Sequence, residues 1–231
     1  MKHLYIRYVF FVFIFIYVLV LGPMTAFGEQ SVYQRVDSAL RVLSELNDTP
    51  EKGIPHDLIS NCAGIAIFPG VIKGGFIIGA NYGKGILVAR DQKTNKWKGP
   101  TFLTMGGGSF GWQIGVEAVD FVMVIMNERG IRAFLSNNMT LGADLSVAAG
   151  PVGRRFEGST DATLKAEVYS YSRAKGFFAG VSLQGAYIYN DYDANQAFYL
   201  HPYLPSEILY GDIAKTPDEA QRLLAYLDSL H

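Results

Sequence analysis

Residues 64–90 read GIAIFPGVIKGGFIIGANYGKGILVAR. Short apolar runs rich in isoleucine, valine and phenylalanine are punctuated by glycine every few residues. That texture signals β-strands, and glycine inside strands marks places where the backbone bends or approaches another chain segment closely. It continues through WKGPTFLTM at 97–105. The chain holds 25 glycines in 231 residues, about 11% against an average near 7%. The excess lies in this region, so the centre of the fold is a glycine-rich, twisted β core. Pro69-Gly70 reads as one turn, and Asp91 to Lys96 (DQKTNK) as a second that forms a basic hairpin tip.

Outward from this core the pattern changes on both sides. Residues 31–46, SVYQRVDSALRVLSEL, place Val32, Val36, Ala39, Leu40 and Leu43 at helical spacing, with Arg35, Asp37, Arg41 and Glu45 on other faces. That is an amphipathic helix whose apolar face either docks on the domain or lies shallowly in lipid. Two prolines and a glycine between Asn47 and Pro55 end it. On the C-terminal side, Gln113 to Met126 reads as a long buried strand with Asp120 in its middle, for which Arg154 and Arg155 are candidate ion-pair partners. Asn127 caps a short helix, ERGIRAFLSN. Further strands are expected at 143–149, 163–173, 177–183 and 185–190. Thr216-Pro217-Asp218-Glu219 then opens a C-terminal helix as a capping box with proline at the first helical position. The fold class is α+β: a twisted antiparallel core with helices at both ends.

The first 28 residues are a secretory signal peptide by pattern. Lys2 and Arg7 precede a charge-free run from Tyr8 to Leu21, and Ala26-Phe27-Gly28 supplies small residues for cleavage. The run is shorter than the roughly 20 residues a spanning helix needs. Residues 29–231 are then one exported domain, periplasmic or extracellular. Taking Lys2 and Arg7 from the 20 basic residues leaves 18 against 21 acidic ones, a balance unsuited to nonspecific nucleic-acid binding. The single cysteine, Cys62, cannot form an internal disulfide and sits among apolar neighbours as a small buried hydrophobe.

Several motifs resemble catalytic or metal sites. In TMGGGSFGWQIG (104–115), Gly106, Gly108 and Gly111 spell G-x-G-x-x-G while Gly107, Ser109 and Gly111 spell G-x-S-x-G. A dinucleotide loop needs a helix after it, and Trp112 to Val116 is poor helix material. A serine elbow needs the same context plus a histidine and an acid; His201 and Asp191 follow Ser109 in hydrolase order, which keeps an exported serine hydrolase open as an alternative. The bland reading is a tight glycine-permitted strand crossing. Asn190 to Asn195 (NDYDAN) lacks the glycine and the terminal acid of a calcium loop and reads as a polar turn. No Cys/His cluster offers a zinc site, and no cofactor is expected.

Ordered blocks of the sequence resemble the SYLF domain, also called DUF500. They are Asn61 to Pro69, Lys73 to Phe76, Tyr82 to Gly85, Gly106 to Gly115, Asp120, Leu141 to Asp144, Ala148 to Arg154, Tyr169-Ser170 and Lys175 to Leu183. Together they span roughly 33–215. The resemblance implies a lipid-binding module without catalysis. In eukaryotic relatives the domain binds phosphoinositides, and fungal members also bind actin; bacterial relatives are often exported. With no appended SH3 or zinc-finger domain in this sequence, anionic phospholipid is the expected ligand.

Basic residues at turns are the candidate lipid contacts: Lys93, Lys96 and Lys98 around Trp97; Arg154 and Arg155; Arg173 and Lys175; and Lys73 and Lys84 in the glycine segments. Each cation near an anionic surface contributes about 1 kcal/mol, and tryptophan suits the headgroup layer. An envelope protein-interaction module, akin to the actin-binding relatives, is the second alternative.

Overall fold

The computed structural model describes residues 30–47, 53–76, 78–110, 115–151, 166–174, 177–213 and 215–230. The signal-peptide reading, Arg154, Arg155 and Lys175 lie outside them. Four long strands form the centre: β1 (Gly64–Phe76), β2 (Ile78–Asp91), β3 (Lys96–Phe110) and β4 (Gly115–Ile125). Short strands follow: β5 (Met139–Thr140), β6 (Val147–Ala149), β7 (Val168–Ala174), β8 (Phe177–Gly180) and β9 (Tyr187–Asn190). Among the described residues these make one sheet in the order β5-β9-β3-β2-β1-β4-β7-β6, with β8 also paired to β7. Every pairing is antiparallel except β6 with β7, which is parallel. The sheet is therefore mixed rather than purely antiparallel, because β6 reaches β7 through a long connection instead of a hairpin.

Pro69-Gly70 is not a turn but a bulge inside β1, where the register against β2 slips between Ile67 and Ile72 and against β4 between Phe68 and Val71. Gly70 has φ 61°, a conformation glycine adopts freely. Its N–H donates to Asp120 Oδ1 at 2.8 Å. The other carboxylate oxygen of Asp120 accepts from Arg173 Nε at 2.8 Å. The acid inside the apolar strand thus closes the bulge, and its partner among the described residues is Arg173 on the neighbouring β7.

Helix α1 (Val32–Asn47) lays Val36, Ala39, Val42, Leu43 and Leu46 into the core, each at most 4% exposed. It packs on β1 and β2 and on the C-terminal helix, so its apolar face is committed to the domain. Arg35 lies on this buried face too, 1% exposed, contrary to the expectation that it faces outward. Its charge is tolerated because Nη1 donates to Asp191 Oδ2 at 3.1 Å and the guanidinium lies 5.2 Å from the Phe102 ring centroid.

Helices α2 (His56–Asn61) and α5 (Pro205–Tyr210) are too short to show a period in sequence. Helix α3 (Glu128–Phe134) has the expected cap, with Asn127 Oδ1 accepting from Gly130 N–H at 2.8 Å. The stretch read as a polar turn is the start of α4 (Tyr192–Tyr199): Asp191 accepts from Ala194 N–H at 3.2 Å as an N-cap, and Ala194 and Phe198 are buried. Helix α6 (Asp218–Asp228) begins one residue later than its capping box implied. Pro217 takes the cap position without a side-chain hydrogen bond, and Gln221 Nε2 donates to the Thr216 carbonyl instead.

Candidate binding surface

The catalytic readings of residues 104–115 meet no supporting geometry among the described residues, and Gly111 to Ile114 lie outside them. Ser109 lies within β3, paired with Gly79 of β2, and the next described element is strand β4. His201 stands just beyond α4, whose Tyr199 hydroxyl donates to the Pro100 carbonyl at 2.8 Å near the other end of β3. Nine steps along β3 carry the backbone roughly 25–30 Å from Pro100 to Ser109, so the His201 end of the fold is remote from that part of the strand. Among the described residues no group of three His, Cys, Asp or Glu side chains could hold a metal.

Among the described residues the expected basic contacts occupy separate places. Lys93, Lys96, Trp97 and Lys98 sit at the β2–β3 turn, while Lys73 and Lys84 lie toward the opposite end of β2. Trp97 is not a surface anchor. It is 4% exposed, with Arg90 stacked 4.8 Å from its ring centroid, because a large aromatic next to α6 gains more from burial than from water. Lys98 Nζ donates to the Gly211 carbonyl at 3.2 Å and faces Asp212 at 3.5 Å and Asp91 at 3.8 Å. Lys96 faces Asp228 at 3.4 Å. Lys93 stays on the exposed turn, its backbone N–H held by Asp91. Arg173 is engaged by Asp120 and Glu45, tying β7 to β4 and α1.

The remaining two lysines flank a different feature. Paired residues on neighbouring strands share a face, and residues two apart on one strand do likewise. Tyr82 on β2 pairs with Gly106 on β3, which pairs with Tyr187 on β9; one step along, Lys84 pairs with Thr104, which pairs with Tyr189. These two rows share one face. Tyr82 is 52% exposed, Tyr187 59% and Tyr189 40%. A Cβ at Gly106 would meet nothing within 4 Å, so the floor between Tyr82 and Tyr187 is open. Lys84 is held 3.7 Å from Asp191 with a side chain 30% exposed. Lys73 lies on the other face of the same end, 4.7 Å from the Phe121 ring centroid. Burial lowers its pKa, and Glu117, its partner across β4, opposes that shift. Val116 beside it is 74% exposed.

The tyrosines were missed in sequence because each looks like an ordinary strand residue. The available signal was the alternation of Tyr187-Ile188-Tyr189-Asn190, where Ile188 and Asn190 turn inward and both tyrosines outward. The exposed rings make this face part apolar and part hydrogen-bonding at the phenol tips.

The profile described as "Ysc84: Las17-binding protein actin regulator" matches residues 106–230. SH3 domain-containing YSC84-like protein 1 of Bos taurus is 36% identical over 203 residues, covering 87% of this chain and 59% of the relative. The Homo sapiens protein of the same name is also 36% identical, over 87% of this chain and 58% of its own length. Protein YSC84 of Saccharomyces cerevisiae is 37% identical over 179 residues, 76% of this chain and 38% of the relative. The chain thus spans a little over half the length of the first of these relatives and less of the yeast one. The chain belongs to the Ysc84 family, whose shared domain is the SYLF domain.

Proposed function

We propose that this domain is a non-catalytic module that binds membranes containing anionic phospholipid with the tyrosine-bearing end of its sheet. The observation that carries the reading is the exposed row Tyr82–Gly106–Tyr187 with Lys84 and Tyr189 alongside. Phenol rings suit the headgroup layer, where an apolar body and a polar tip are both accommodated. Lys84 and Lys73 supply local positive charge, each contributing about 1 kcal/mol or less near an anionic surface. Carboxylates beside Lys96, Lys98 and Arg173 limit what those residues add, and Asp191 beside Lys84 limits its share in the same way, so the aromatic area carries most of the binding. The mechanism is adsorption: weak charge steering, then burial of aromatic area. Each half-exposed tyrosine offers about 100 Å² to bury, or up to ~2.5 kcal/mol at about 25 cal/mol per Å². In this reading residues 1–28 direct the domain across the inner membrane and 29–231 act as one unit outside it.

Co-sedimentation with phosphatidylglycerol-containing vesicles tests the proposal. Tyr82→Ser with Tyr187→Ser should lower the bound fraction at least about tenfold in apparent affinity, while Lys93→Ala on the distant turn should change it little. Unchanged binding by the tyrosine variant would remove the sheet end from the account.

A protein partner is the second reading, favoured by the family description, which names Las17 binding and actin regulation for relatives. Tyrosine is enriched in protein interfaces for the same physical reasons. Co-sedimentation with purified actin filaments in the absence of lipid separates the two.

A further inference from the structure

At the opposite end of the sheet, β3 and α6 enclose an open cleft of about 570 Å³ lined by Trp97, Ile213, Lys215, Thr216, Leu224 and Asp228 among others. That volume is in the usual range of small-molecule sites, about 300–1,000 Å³. Its walls are apolar where Trp97, Ile213 and Leu224 meet, and polar at one rim.

The state of the polar groups defines what the cleft complements. Asp228 is engaged by Lys96 at 3.4 Å, so its charge is offset. Gln221, also in the lining, spends its amide on the Thr216 carbonyl at 2.8 Å. Beside the Thr216 hydroxyl and the Gln221 amide oxygen, two donors stand at the cleft. The Trp97 side chain is 4% exposed overall, yet its indole N–H has no acceptor among the described residues. Arg90, stacked on this indole, is itself fixed by donating to the Ser60 and Ile59 carbonyls. A buried donor without a partner is destabilising. Lys215 is exposed at the rim and enters no ion pair among the described residues. Of these two donors, one is a cation.

We propose that this cleft is a binding site for a small amphiphilic carboxylate. Its apolar body lies along Trp97, Ile213 and Leu224, and its carboxylate pairs with Lys215 at the rim. The site is separate from the tyrosine-bearing end and does not depend on the membrane reading.

The test uses the purified protein with Trp112→Phe, so that Trp97 is the sole tryptophan and its fluorescence reports the cleft. Dodecanoate, kept below its micelle concentration, should change Trp97 emission saturably, and 1-dodecanol should bind at least about tenfold more weakly. Lys215→Ala should abolish that preference by weakening dodecanoate alone, since a charge-assisted hydrogen bond contributes about 1.5–3 kcal/mol, roughly 10- to 100-fold. Ala225→Trp, which fills the cleft from α6, should remove binding of both; calorimetry reads this variant, since it adds a second tryptophan. Far-UV circular dichroism confirms that each variant is folded. No saturable response, equal binding of acid and alcohol, an unaltered preference in Lys215→Ala, or persistent binding in folded Ala225→Trp would each overturn the proposal.

Discussion

Replacing Asp191 with asparagine isolates the charge that lets α1 dock with an arginine on its buried face. Asp191 faces Arg35 Nη1 at 3.1 Å and Lys84 Nζ at 3.7 Å, and it also caps α4 through Ala194 N–H. Asp191 uses Oδ1 for the cap and Oδ2 for Arg35, whereas asparagine has a single side-chain oxygen: it remains an equally good cap but turns its amide NH2 toward the guanidinium. What disappears is the negative charge opposite a guanidinium whose side chain is 2% exposed. Removing one partner of a buried pair costs about 3–5 kcal/mol. Asp191 keeps 13% side-chain exposure and asparagine keeps the cap hydrogen bond alone, so a loss of about 3 kcal/mol, the low end of that range, is expected. Arg35→Met is gentler. It leaves Asp191 beside Lys84 and water, fills similar volume against Phe102, and removes an Nε that has no acceptor among the described residues. Its cost should be below about 1 kcal/mol. In the double variant no unpaired guanidinium remains, so the two effects should fall short of additivity by about 1.5–2.5 kcal/mol. Urea unfolding followed by circular dichroism measures all four proteins. Asp191→Asn within about 0.5 kcal/mol of wild type, or strict additivity, would refute this account of how α1 is held.

Three further changes probe other parts of the fold. Gly150→Ala would place a Cβ 2.1 Å from Tyr171 Cζ. It should destabilise by about 2 kcal/mol or more through overpacking, read as a lower urea midpoint; a neutral result would contradict the packing of β6 on β7. Asn127→Ala removes the α3 cap and should cost about 1 kcal/mol, whereas Asn127→Asp should cost a few tenths at most. Burial pushes the Cys62 thiol from its ordinary 9.0 up to about 12. The unfolded chain then releases this proton above about pH 9 while the folded one retains it. The thiol's contribution is constant below pH 9 and is lost at about 1.4 kcal/mol per pH unit above it. Stability measured from pH 8 to 10.5 should fall more steeply for wild type than for Cys62→Ala; parallel curves would contradict the burial of the thiol.

The long elements were legible because their signals are additive over many residues. The β1–β4 region announced itself by glycine and β-branched texture, α1 by its apolar period, and α3 by Asn127. Short elements carried too few residues for a period, which is why α2 and α5 gave no sign and Asp191 to Asn195 resembled a turn although Asp191 is a helix cap. Pro69-Gly70 looked like a reversal because a bulge uses the same residue types, and only the partner strand distinguishes them. The basic residues were equally visible, but their neutralisation was not. Lys98 meets Asp212 across 114 positions of sequence and Lys96 meets Asp228 across 132, and no local pattern reports such pairs. Trp97 was legible as an aromatic at a hairpin, while its burial depends on α6, more than a hundred residues away. The tyrosine face emerges only from the register that sets Tyr82, Gly106 and Tyr187 side by side.

The central claim is that the sheet end bearing Tyr82, Tyr187 and Tyr189 recognises an anionic bilayer. Flotation of the wild-type protein with vesicles of pure phosphatidylcholine and of phosphatidylcholine mixed with phosphatidylglycerol, at low and moderate salt, addresses it most directly. The account predicts recovery with the anionic vesicles, modest weakening by salt and little recovery with the neutral ones. Equal recovery with both compositions, or with neither, would contradict it.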